Sequence, residues 1–284
     1  GTSVILAGAF NSRGSFGQPR LDSPAMEPVL LVERHDAVAT LTLNRPGTKN
    51  ALTRELVTAL GRVLLEVEAD EAVRAVVLTG AGGSFCSGAD LKAGMADFGE
   101  VSVETRVDEF HAVIRAIAHG TKPFVAQIDG PAVGFGADLA LACDLRVMST
   151  RAYIQEKFVK IGLMPDGGGT FWLPRLIGIG RALEYLMLGE RIDASLALEL
   201  GLTNRVVDLD ALAPSARALA DALAKGPPLA LAQIRGAVRQ SFGGTIDDAL
   251  AREKTGQVGL LASSDLIEGV LAWSQRRAPE FKGR

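Results

Sequence analysis

The sequence predicts an α/β fold, with a β/α core followed by an all-helical C-terminal region, on three observations. Every run with strand character lies before about residue 210. Glycine-rich turns at 80–90, 130–136 and 165–170 each precede a helical pattern. From Ala211 onward only helical periodicity remains, broken at Gly226-Pro227-Pro228 and Gly243-Gly244. The expected divisions are an N-terminal extension over residues 1–25, a core over 26–210 and a helical region over 211–284.

Apolar and polar residues alternate from Val38 to Leu43, which predicts a strand that Asn44-Arg45-Pro46 ends. Thr53 is a good N-cap for a helix whose buried face is Leu56, Val57, Leu60, Val63, Leu64 and Val67. The valine-rich run Ala75–Thr79 reads as a strand buried on both faces. After the break Gly80-Ala81-Gly82-Gly83-Ser84, the segment Phe85–Lys92 turns at Gly88 into a helix start. Residues 94–105 lack periodicity and read as a lid. Phe110, Val113, Ile114 and Ile117 restore a helix. Phe124–Ile128 is a second buried strand, followed by Gly130–Asp144 and a strand over Leu145–Met148. Leu183, Leu186 and Met187 share a helix that Gly189 ends. Asp193 caps a short helix closed by Gly201, and Val206-Val207 is the last strand.

Composition excludes several function classes. The formal net charge is -3, with no lysine or arginine stripe of the kind nucleic acid requires. Two cysteines, Cys86 and Cys143, make no disulfide framework, which points to a reducing cytosol. The apolar runs are too short to span a bilayer. Residues 1–25 are rich in Gly and Ser, with no basic residue ahead of Val4–Phe10. They read as a tag, an upstream start or a leader, with Met26 as a natural start. Nucleotide fingerprints fail because Leu139 and Phe85 stand where a third glycine is needed, and no Gly-Lys-Ser/Thr ending occurs. His35, His111 and His119 have no metal-ligand spacing and read as surface or core residues. No metal site is expected.

A strand, a glycine turn and then a helix aim backbone N–H groups at an anion. Gly130-Pro131-Ala132-Val133-Gly134-Phe135-Gly136 has this form. Together with Asn44-Arg45-Pro46, Asn50-Ala51-Leu52, Phe85–Lys92 and Gly162–Gly168, it resembles the crotonase superfamily, the enoyl-CoA hydratase/isomerase group, in order and spacing from about Glu27 to the C-terminus. The resemblance implies a spiral of ββα repeats with a C-terminal helical trimerisation region, and a homotrimer or dimer of trimers. It implies a coenzyme A thioester substrate and no other cofactor. The oxyanion hole of the family carries over to the backbone N–H groups of Ala89 and Phe135. Positions near coenzyme A carry over to Arg45, Lys49, Ala51, Asp90, Leu91 and Lys92, with Phe281 and Lys282 reaching a neighbouring subunit.

Hydratases of this family hold a water between two carboxylates. The first position is Asp138 here. The second, seven residues before Pro165, is Phe158, with Glu156 two positions away. Phenylalanine cannot transfer a proton, so the usual pair looks incomplete. Asp166, directly after Pro165, occupies a place where isomerases of the family carry an acid. The surrounding run most resembles the phenylacetate-pathway isomerases. Phe158, Met164, Phe171 and Trp172 are expected to line the acyl pocket. One carboxylate suffices to move a double bond if an apolar pocket raises its pKa. The favoured expectation is therefore an enoyl-CoA isomerase using Asp166. The alternatives are a hydratase using Asp138 and a displaced acid, and a non-catalytic acyl-CoA binder. A nucleophilic Asp166 ranks lower, because no partner histidine is evident in the sequence.

Overall fold

The computed structural model describes residues 3–4, 27–96, 99 and 101–284. Apart from Ser3–Val4, the N-terminal extension lies outside the described residues. The chain runs β1 (Ser3–Val4), β2 (Leu30–His35), β3 (Val38–Leu43), α1 (Arg54–Ala69), β4 (Ala75–Gly80), α2 (Leu91–Ala96), α3 (Val103–His119), β5 (Phe124–Ile128), β6 (Pro131–Val133), α4 (Phe135–Ala142), β7 (Leu145–Ser149) and β8 (Tyr153–Gln155). It continues through α5 (Gly169–Ile177), α6 (Ile179–Leu188), β9 (Ile192–Asp193), α7 (Ala194–Glu199) and β10 (Arg205–Val207). It ends in α8 (Leu209–Lys225), α9 (Pro228–Gln240), α10 (Ile246–Leu261) and α11 (Ser264–Ser274).

Seven strands form the main sheet in the order β1-β2-β3-β4-β5-β7-β10. The β1-β2 and β2-β3 pairs are antiparallel and the rest are parallel. A second, smaller layer holds β6, β8 and β9. Single bridges between Leu52 and Ala89, and between Cys86 and Ala132, extend this layer. Thus β3, β4, β5 and β7 are each followed by a short stretch in the second layer. The chain then runs into α1, α2–α3 and α4 after the first three. This is the spiral of ββα repeats, and the glycine turns lie between its two layers.

Stacking the turns forces backbone against backbone. A methyl group on Gly130, at φ +56°, would stand 2.4 Å from the Gly83 carbonyl oxygen, so only glycine fits. Asn50, fully buried, staples the first turns. Its amide donates to the carbonyls of Ala81 at 2.9 Å and Ser84 at 2.7 Å, and its oxygen accepts from the Arg45 N–H at 2.9 Å. The predicted face of α1 is buried against one side of the main sheet, with Leu41, Leu43, Val76 and Leu78 in the same core. On the other side α8 lays Leu212, Ala216, Ala220 and Ala224 on Val38, Ala75, Val77, Val125 and Val147. β4 is therefore buried on both faces, as its valines predict. Helix α9 is tied to the core by Arg235 and Arg239, which both pair with Asp144.

The segment 94–105 expected as a lid begins and ends in helix. Helix α2 reaches Ala96, and Ser102 caps α3 by accepting the Thr105 N–H at 3.1 Å. The first turn of α3 is exposed, so it carries no apolar periodicity to read. Residues 97, 98 and 100 of that expectation lie outside the described residues.

Candidate active site

A cavity of about 460 Å³ opens where the Gly88 and Gly134 turns meet. Ala89 and Phe135 both line it. In the bridge to Leu52, the Leu52 N–H donates to the Gly88 carbonyl at 2.8 Å and the Asp90 N–H donates to the Leu52 carbonyl at 2.9 Å. A parallel bridge of this pattern turns the N–H of the middle residue, Ala89, to the opposite side. Phe135 is the first residue of α4, so its N–H has no acceptor within the helix. The two turns are in contact: a methyl group on Gly88, at φ +90°, would stand 2.8 Å from the Val133 carbonyl oxygen and 3.6 Å from the Phe135 nitrogen. The Phe135 ring packs edge-on against Phe110 of α3, with centroids 4.7 Å apart. The ring is thereby anchored against α3.

Asp166 lies at the same cavity, in the turn before α5, and it is the one carboxylate among the described lining residues. Its Oδ1 is buried with no hydrogen-bond partner among the described residues. Burial raises its pKa, and the nearby His111 opposes the rise. Sequence spacing did not reveal His111. It sits on α3 one residue after Phe110, and the tertiary fold brings it towards Asp166.

Asp138 does not line the cavity. It is fully buried in the first turn of α4, where a helix N-terminus favours a carboxylate. Its Oδ2 accepts the Gly167 N–H at 3.0 Å. Glu156, 2% exposed, comes against it from the segment after β8. A methyl group on Gly169 would stand 2.7 Å from Glu156 Oε1 and 2.9 Å from Asp138 Oδ1. Burial raises the pKa of both. The Asp166 charge adds to this for Asp138, and the Asp138 charge does so for Glu156. The Gly167 and Gly169 amides favour the ionised form of Asp138.

The acyl-pocket expectation needs correction. Phe158 lines the cavity, but Met164 is exposed, and Phe171 and Trp172 line a second cavity of about 410 Å³. The cause is Gly168, at φ +103°, which turns the chain before α5 and sets its aromatic face towards α9. Val107, Phe110, Ile161 and Leu163 line the first cavity instead. Of the positions expected near coenzyme A, Lys49 and Leu91 line the cavity. Arg45 pairs with Asp90 at 3.1 Å and donates to the Ala51 carbonyl, and none of these three lines the cavity. Lys92 is exposed on α2. Within one chain Phe281 lines a separate cavity with Trp273, and the Lys282 N–H donates to Asp265 at 2.7 Å. Arg191, stacked 4.2 Å from the Tyr153 ring centroid, and Lys157 add cationic groups that the sequence reading missed. Burial pushes the Cys86 and Cys143 thiols up to about 12, so neither is a nucleophile at neutral pH.

A sequence profile described as enoyl-CoA hydratase/isomerase matches residues 33–284. A probable enoyl-CoA hydratase of Rhodobacter capsulatus is 39% identical over 258 residues, covering 89% of this chain and 97% of its own. The 1,2-epoxyphenylacetyl-CoA isomerase of Escherichia coli K12 is 37% identical over 265 residues, covering 91% and 100%. The crystal structure of an enoyl-CoA hydratase from Bacillus anthracis superposes with a TM-score of 0.86 at 33% identity, covering 90% and 100%. With the spiral of glycine turns and the cavity between them, these similarities establish that the chain belongs to the enoyl-CoA hydratase/isomerase family and is an enzyme of the crotonase superfamily.

Proposed function

We propose that the enzyme is an enoyl-CoA isomerase that moves a double bond along an acyl chain through a thioester enolate. The observation that carries this reading is that Asp166 is the one carboxylate among the described residues lining the cavity. In the proposed reaction the thioester oxygen accepts hydrogen bonds from the Ala89 and Phe135 N–H groups. Asp166 takes a proton from the carbon chain, and the C–H electron pair passes through the conjugated system to the thioester oxygen. The same proton returns at another carbon, so atoms and charge balance. Burial that raises the Asp166 pKa makes it a stronger base, as a shuttle near neutral pH requires. Each oxyanion donor is worth on the order of 10²–10³ in rate.

Phe158 supports this reading, since an apolar ring at the cavity neither holds nor activates water. A hydratase is the second reading, and the meeting of Asp138 with Glu156 favours it. It requires the Gly167–Gly169 turn to open, because neither carboxylate reaches the cavity. Lys49, Lys157 and Arg191 are the proposed partners of the coenzyme A phosphates. We further propose a trimer or a dimer of trimers, supported by exposed apolar residues on α6, α10 and α11, and a cytosolic setting, supported by two free buried thiols.

The test is product analysis with 3-enoyl-CoA and 2-enoyl-CoA substrates. We expect a mass-neutral shift of the double bond, and a fall on the order of 10²–10⁴ in kcat for Asp166→Asn. Addition of water to the 2-enoyl substrate, surviving in Asp166→Asn, overturns the isomerase in favour of the hydratase.

A further inference from the structure

The Gly167–Gly169 turn has two carboxyl groups packed beneath it. A methyl group on Gly167 would stand 2.5 Å from Asp138 Cβ, and one on Gly169 would meet oxygens of both Asp138 and Glu156. Asp138 Oδ1 and both Glu156 oxygens are buried with no hydrogen-bond partner among the described residues. Two negative charges in so small a buried space would repel strongly. The arrangement is satisfied if one proton lies between them. Glu156 has no backbone donor and carries the proton. Asp138 receives the Gly167 amide and carries the charge.

We propose that Asp138 and Glu156 are positioning residues. Sharing one proton, they clamp the Gly167–Gly169 turn from behind and so hold the adjacent Asp166 at the cavity. The inference deepens the isomerase reading and rests on Asp166 as the working base. The mechanical link is short, because the clamped amide belongs to the residue directly after Asp166. The charged groups acting on the pair are few. Asp166 faces it from the turn, the Gly167 and Gly169 amides point into it, and His111 of α3 acts on Asp166.

The sign of the pH effect follows. Both carboxyls have raised pKa values in the folded protein, so the folded state holds a proton that the unfolded chain releases. The contribution to stability is complete below the unfolded carboxylate values, about 4. It is lost as pH rises through the raised folded values. Loss of the shared proton leaves two buried charges under the turn, and the clamp opens.

The experiment is amide hydrogen exchange over residues 163–172, read by mass spectrometry from pH 5.5 to 9, together with isomerase kinetics. In the wild type, protection of this segment, corrected for the intrinsic rate, should fall towards alkaline pH. Glu156→Gln keeps a neutral donor and should retain both protection and kcat across the range. Asp138→Asn keeps an acceptor for the Gly167 amide and should also lose the alkaline decline. Asp138→Ala should lose protection at every pH and lower kcat on the order of 10- to 100-fold, with KM moving less. Retention of the alkaline decline in both Glu156→Gln and Asp138→Asn overturns the proposal. So does undiminished protection in Asp138→Ala. The two amide variants carry the test if the alanine variant does not fold. Exchange is read without turnover, so a failure of the isomerase reading leaves the clamp result interpretable. A failure of the clamp leaves the Asp166→Asn result standing.

Discussion

Asp166 owes its chemistry to two opposed neighbours. The apolar surroundings disfavour its charge, and His111 favours it. Replacing His111 by Gln removes the stabilising charge, so the Asp166 pKa rises further. The base then becomes ionised only at higher pH. We expect the acidic limb of the kcat/KM profile to move to higher pH in His111→Gln, checked by isomerase assays from pH 5 to 9. An unmoved limb would separate His111 from the site. At this scale the sequence was partly legible. Asp166 stood out because Phe158 cannot transfer a proton, and Ala89 and Phe135 stood out by motif. His111 did not, because its 55-residue separation from Asp166 is closed by the packing of α3, which no local pattern encodes. Glu156 was visible in the sequence, but its placement was not. Whether a displacement of two residues matters depends on where the loop after β8 carries the side chain.

At the scale of elements, the glycine turns decide the geometry. Gly88 combines a left-handed φ with a Val133 carbonyl oxygen that leaves no room for a methyl group. Gly88→Ala should therefore displace the Gly134–Phe135 turn and separate the two proposed oxyanion donors. We expect kcat to fall on the order of 10²–10³, with about 1–3 kcal/mol lost from stability by denaturant unfolding. Wild-type turnover in a folded Gly88→Ala protein would detach the Ala89 and Phe135 amides from catalysis. Turns of this kind are readable in a sequence because glycine adopts left-handed conformations at no steric cost and leaves room for a close backbone approach. The direction in which a turn sends the next helix is not. Phe171 and Trp172 form an apolar pair that reads equally well as a pocket wall or a helix-docking face. The rotation at Gly168 makes them the latter, facing Arg239 and α9.

Across the whole molecule, the apolar residues left outside the core gather on the outer helices. Ile179, Leu183, Met187 and Leu188 lie on α6, and Ile267, Val270, Leu271 and Trp273 on α11. Trp273 is 83% exposed, a placement that favours an interface over open water. If α11 contributes to a trimer, Trp273→Asp together with Val270→Asp should lower the oligomeric mass in sedimentation velocity while leaving the core fold intact by circular dichroism. An unchanged mass would remove α11 from the interface. The tail matters to the same question, since Phe281 packs against Gly269 of α11.

The sequence by itself determined the class of fold, the position of each glycine turn, the buried faces of α1 and β4, and the membership of the enoyl-CoA hydratase/isomerase family. Those properties are local: residue spacing sets which face of an element is apolar, and glycine is the residue that left-handed turns favour. The tertiary structure decided which carboxylate meets the cavity. Asp138, Glu156 and Asp166 are equally acidic in the sequence, yet the Gly167–Gly169 turn seals two of them away and presents the third. Burial and mutual charge are properties of the packed molecule. They turn three similar side chains into a closed pair and a single acid at the cavity.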